Sequence, residues 1–202
     1  MYIPKFNLTT DRDELVSFMQ RFSFATIISI KEDVPVATHL PFLVAVREDK
    51  VVLTSHFAKA NDQWKDLESN KILVIFSEPH AYISTSNYDK ELNVPTWNYI
   101  SIHAYGTGKL LMEPLKAMEV INSTINNFEL SYRQQWDTFP DEFKSKMLNG
   151  IVAFEIEVSD LQGKKKPSQN RSSSEQEKII QTLSKSDDSN EKMIAAYMKE
   201  RN

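Results

Sequence analysis

At 202 residues, with 41% apolar and 26% charged side chains, the chain has material for one sizeable core and none of the compositional marks of disorder, collagen or a disulfide scaffold. A formal charge of -4 and an isoelectric point near 5.6 give no overall attraction for polyanions, so nucleic-acid binding would need a local basic patch. The lack of cysteine excludes thiol catalysis, thiolate-bound zinc and disulfides, and redox chemistry must then belong to a cofactor. No stretch has the order of a signal peptide, and no apolar run nears the roughly 18 residues that span a bilayer, so the sequence reads as cytoplasmic with no membrane association.

From the N-terminus, Thr9, Thr10 and Asp11 are candidate caps for a short amphipathic helix running to Phe22, because Leu15, Val16, Phe18, Met19 and Phe22 recur at helical spacing. Phe24 to Ile30 is rich in β-branched and aromatic residues, Lys31-Glu32-Asp33 is a polar turn, and Val34 to Val46 resumes the apolar run, which predicts a hairpin. Val51 to His56 is a third strand after the charged turn Arg47-Glu48-Asp49-Lys50. Ala58 to Asn70 has helical composition. Ile72 to Phe76 and Ala81 to Ser84 are short strands, and Thr96 to Leu111 is a long one with Gly106 and Gly108 as positions of close backbone approach.

Pro114 can open a helix that carries the stripe Leu115, Met118, Val120, Ile121, Ile125 and Phe128, and Asp141 to Leu148 is a further helical stretch closed by Asn149-Gly150. Ile151 to Val158 alternates like the last strand of the core. Gly163 to Pro167 reads as a basic linker, followed by two short helical segments, Glu175 to Leu183 and Glu191 to Met198. Strands joined by tight turns with helices inserted between them predict an α+β fold built on an antiparallel barrel. The expected organisation is a domain over residues 1–161 and an appendage over 162–202 that adds no second core, all core strands preceding it.

With four glycines there is no glycine-rich phosphate loop, so a phosphate would have to be held by side chains and strand edges. Four segments stand out as polar or aromatic beyond what a core needs: Ala37 to Pro41, Thr54 to Asn61, Pro95 to Tyr99 and Lys166 to Arg171. In the second, hydroxyl and imidazole groups end a strand and Lys59 sits just inside the expected helix, which gathers donors and positive charge as an anion requires. Ordinary turn and cap chemistry explains the same residues equally well. The four histidines lack metal-ligand spacing, and His80 reads as a satisfied turn residue. Lys164, Lys165, Lys166 and Arg171 form the basic cluster, either a solvated linker or a contact for phosphates of DNA or cofactor, with no helix-turn-helix around it.

The ordered motifs Met1-Tyr2-Ile3-Pro4-Lys5, Ala37-Thr38-His39-Leu40-Pro41, Ala60-Asn61-Asp62-Gln63-Trp64, Pro79 to Ser84, Val94 to Tyr99 and Ser168-Gln169-Asn170-Arg171 resemble those of the PaiB-like FMN-binding transcriptional regulators. The resemblance implies a split β-barrel related to the pyridoxamine phosphate oxidases, an FMN site in a homodimer, and repression of sporulation and protease synthesis. It places Thr38 and His39 on an inner strand beside the flavin and brings Ser55, His56 and Lys59 to the phosphate. Trp97, Asn98 and Tyr99 would face the ring or the dimer seam, and Gln169 and Arg171 would reach in from the C-terminal segment. A lysine common after the Lys59 position in the oxidase relatives is Ala60 here, which weakens the expected phosphate grip. The competing readings are a flavin-dependent reductase or oxidase and a haem-handling protein, although the segment after Leu161 holds no histidine.

Overall fold

Strand-forming residues with one buried face open the sheet: in Phe24–Lys31 the side chains of Ala25, Ile27 and Ser29 are buried while their neighbours are not. The computed structural model describes residues 1–200. In chain order these form β1 (Leu8–Thr9), α1 (Arg12–Arg21), β2 (Phe24–Lys31), β3 (Val34–Pro41), β4 (Leu43–Arg47), β5 (Lys50–Ala58), β6 (Lys71–Phe76), β7 (His80–Ile83) and β8 (Thr96–Leu111). There follow α2 (Pro114–Phe128), α3 (Arg133–Thr138), α4 (Asp141–Leu148), β9 (Ile151–Lys166), α5 (Ser173–Ser184) and α6 (Ser189–Lys199). The sheet is antiparallel and not closed, with order β3, β2, β6, β8, β9, β5, β4, while β1 pairs with β9 and β7 with β8. This is the expected α+β split barrel.

The expected polar turns are hairpin turns whose central residues, Glu32 and Asp33 in one and Glu48 and Asp49 in the other, all have φ between 48° and 63°, the left-handed values such two-residue connections need. The run from Val34 to Val46 is two strands and not one. It breaks at buried Phe42, whose N–H donates to the Ser23 carbonyl, and the chain changes partner there from β2 to β4's neighbour β5. Gly106 is where expected: a Cβ there would lie 2.3 Å from the Glu157 carbonyl oxygen, closer than any side chain tolerates.

The chain divides into two compact units. Unit 2 comprises residues 16–76 and 103–161, and its core is aromatic: Phe57 stacks on Phe154 at 4.8 Å, and Phe42 meets both Phe76 and Phe154 edge-on. Unit 1 comprises residues 1–15, 77–102 and 162–202. Its core is aliphatic, with Ile179, Ile180 and Leu183 of α5 and Ile194, Ala195 and Met198 of α6 buried with Ala81, Ile83 and Tyr88.

Three expectations are corrected here. The helices of the C-terminal segment do build a packed core, because their apolar stripes bury Ala81 and Ile83 of β7 together with Tyr88. The supposed basic linker is the end of β9: Gly163 and Lys164 pair with Thr9 and Leu8, and the ammonium groups find partners there, Lys165 with Glu14 and Lys166 with Thr96. A core strand therefore continues past Leu161. Finally, Ala58 to Asn70 yields only a 3-10 helix over Asp62–Asp66, which Asn61 caps through a side-chain oxygen accepting from the Gln63 N–H.

Candidate functional site

Alternation along β8 sorts the expected site residues of unit 1. Asn98 is fully buried and faces α6, its amide group 3.8 Å from the Met198 sulfur, whereas Trp97 and Tyr99 lie on the opposite face. There Tyr82 pairs with Trp97 across the strands, and His80 meets the Trp97 ring edge-on at 5.6 Å. Lys164 lies 5.2 Å over the Tyr99 ring. Trp97, Asn98 and Tyr99 are thus a sequence motif that the pleat divides, and His80 is an exposed strand residue and not a turn residue.

Asn98 opens instead onto a small pocket of about 140 Å³ that it shares with Thr96, Lys166, Ser168, Asn170 and Arg171. Ser168 is buried with φ at 59°, outside the range a serine prefers, and its hydroxyl donates to Asn98 Oδ1 at 3.0 Å. Lys166 donates to Thr96 Oγ1. Arg171 lies over the Tyr88 ring at 3.7 Å and spends one guanidinium nitrogen on Asn93 Oδ1 at 2.8 Å. The lining holds two cations and no carboxylate. Gln169 does not enter the pocket, because its amide donates to the Phe6 and Lys165 carbonyls. Lys166, which the sequence left open between a solvated linker and a phosphate contact, belongs to it.

In unit 2 the expected residues do not converge. Thr38 donates to Gln63 Oε1 and accepts from Asn61, so its hydroxyl joins a network that pins the segment after β5 to β3. His39 is exposed and stacks on Phe24 at 6.3 Å, and β3 is a terminal strand of the sheet order, which corrects the expected inner position. Ser55 is buried and gives its proton to the Pro41 carbonyl at 2.6 Å. Burial holds the His56 pKa below its ordinary value and keeps the imidazole neutral near pH 7. Lys59 is exposed ahead of the 3-10 helix, whose N-terminus Asn61 already caps. Lys59 forms no ion pair among the described residues.

Elsewhere, His103 is held below its ordinary pKa by burial, and its Nδ1 lacks a partner, as does the buried Tyr88 hydroxyl. Among the described residues no group of three metal-binding side chains occurs, and no helix is long and apolar enough to cross a membrane.

The profile of a family described as "Putative FMN-binding domain" matches residues 1–160. Over its whole length the chain is 37% identical to "Protease synthase and sporulation protein PAI 2" of Bacillus subtilis, covering 98% of that protein. Two solved structures share the fold. They are the flavocytochrome Anf3 of Azotobacter vinelandii, with TM-score 0.64, 16% identity and coverage of 82% of this chain and 72% of that one, and the FAD and heme binding protein of Mycobacterium smegmatis, with TM-score 0.61, 14% identity and coverage of 79% and 73%.

Proposed function

The chain belongs to the FMN-binding family whose profile spans residues 1–160, and from that premise we propose that it binds FMN and acts as a PaiB-like regulator of sporulation and protease synthesis, the processes named in its Bacillus relative. A cytoplasmic homodimer goes with this reading. Trp97 and Tyr82, each about half exposed, and neighbouring His80 leave an aromatic surface that supports self-association.

The observation that carries the flavin reading is the donor set of the unit 1 pocket. A phosphate needs cations and N–H or O–H donors without a competing carboxylate, and Lys166, Arg171, Thr96 and Asn170 supply them. The residues present fit the phosphate end of FMN. At about 140 Å³ the pocket falls well short of the roughly 300–1,000 Å³ of a site that encloses a whole ligand, so it suits a phosphoryl group alone. Tyr88 lies against the guanidinium and Asn93 accepts from one of its nitrogens, which restrains the group and leaves its other N–H groups without a protein acceptor among the described residues, for a phosphate to use. Ser168 orients Asn98 at the pocket's floor. Bound FMN would supply redox chemistry; the protein supplies binding and orientation.

Ser55, His56 and Lys59 are the rival phosphate group. They offer less, because the Ser55 proton is committed to Pro41 and the His56 imidazole is neutral, which leaves Lys59 alone. FMN titration of the wild type, Arg171→Lys and Lys59→Ala tests the assignment. A lost bidentate charge-assisted contact costs about 1.5 to 3 kcal/mol, so Arg171→Lys should weaken FMN roughly tenfold to a hundredfold, with a small effect from Lys59→Ala. The reverse order would move the phosphate to β5. Wild-type protein that neither carries nor takes up flavin would sink the reading altogether.

A further inference from the structure

Unit 2 holds a larger cleft, of about 610 Å³, between α2 and the outer faces of β4, β5, β8 and β9. Its volume is within the range of about 300–1,000 Å³ found for small-molecule sites. The floor is apolar: Leu43, Ala45 and Leu111 are only half buried, and Val120 of α2 completes it. Protein alone does not cover these side chains.

Five charged groups surround that floor, and their pairing decides which ligand charge they favour. The inward carboxylate, Glu155, is engaged by Arg47 and by the Thr54 hydroxyl. Glu119 is engaged by Lys116 at 2.9 Å. Lys109 has no carboxylate partner among the described residues, so the lining keeps one uncompensated positive charge, three cations against two anions. Ser123 and Asn127 of α2 add exposed polar groups at the mouth. A positive charge beside an incompletely covered apolar floor matches an organic anion with a hydrocarbon body.

We propose that this cleft is a second ligand site, separate from the flavin, which takes a small amphipathic carboxylate: the hydrocarbon body lies on Leu43, Ala45, Leu111 and Val120, and the carboxylate meets Lys109. Such a site would give the regulator a metabolite to sense. It does not depend on flavin binding, because none of its lining residues belongs to the unit 1 pocket.

Isothermal titration of the full chain with octanoate and with octylamine tests the sign of the site. Octanoate should bind saturably and octylamine roughly tenfold or more weakly, since the two share an apolar tail and differ in head-group charge. Lys109→Glu should weaken octanoate by about the same factor, and Ser123→Trp, which fills the mouth, should abolish binding. Both positions are exposed, and circular dichroism of the two variants is the folding control. FMN titration should be unchanged in both. No saturable octanoate binding, octylamine binding equally well, or wild-type octanoate affinity in either variant would overturn the proposal.

Discussion

In unit 2 the rings of Phe42, Phe57, Phe76 and Phe154 are all but sealed from solvent and the buried polar side chains, Ser29, Thr54, Ser55 and Gln63, are uncharged, whereas unit 1 buries the charged Lys165 and Glu175 with Asn98 and Ser168 beside its aliphatic cluster. Aromatic cores gain their free energy from area and volume, and they tolerate small shifts as long as the space stays filled. Buried polar groups behave otherwise: each contributes only while its partner stays in place, and each costs when the partner is lost. Unit 2 is therefore suited to being a stable frame. Unit 1 is suited to holding a few side chains at fixed positions, which is what a phosphate pocket asks.

That contrast can be tested by substitution. The largest effect should come from Phe154→Ala, which removes a fully buried ring stacked on Phe57 and should cost about 3 to 5 kcal/mol in chemical denaturation, flavin absent. Ser168→Ala deletes only one hydroxyl, yet it strips buried Asn98 Oδ1 of its donor and should cost about 1 to 3 kcal/mol while also weakening FMN. A stability loss without a flavin effect would mean that Asn98 and Ser168 serve packing alone. Ser172 caps α5 in a reciprocal arrangement with Glu175, so Ser172→Ala should cost about 1 kcal/mol with FMN affinity preserved.

The smallest effect expected is a pH dependence in unit 2. Burial depresses the His56 pKa below 6.5, so the unfolded chain takes up the proton more readily than the fold. The stabilisation from the neutral imidazole is complete above about pH 6.5 and is lost as pH falls through the folded-state value. Denaturation midpoints measured downward from pH 7 should decline less steeply in His56→Asn than in the wild type. Parallel curves would remove His56 from the account.

Legibility in the sequence follows the same division. The hairpin turns at Glu32-Asp33 and Glu48-Asp49, the strand Thr96–Leu111 and the helix Pro114–Phe128 could be read directly, because neighbours in sequence decide them. Unit 1 is assembled from three distant stretches, so its core appears only in three dimensions. The lysines at 164–166 read as a linker since nothing local shows that Glu14, Thr96 and Tyr99 will meet them. Reading Trp97-Asn98-Tyr99 as one cluster failed for a different reason, as the two-residue period of a strand already separates Asn98 from its neighbours.

The central claim is that Lys166 and Arg171 receive the FMN phosphate. Titrating FMN and riboflavin side by side isolates that contact, because the two ligands share the ring and ribityl chain and differ only in the phosphate. The wild type should prefer FMN by roughly tenfold or more, and Arg171→Lys should erase most of that preference while leaving riboflavin affinity unchanged. Equal affinity of the wild type for both ligands, or a preference that survives in Arg171→Lys, would contradict the claim.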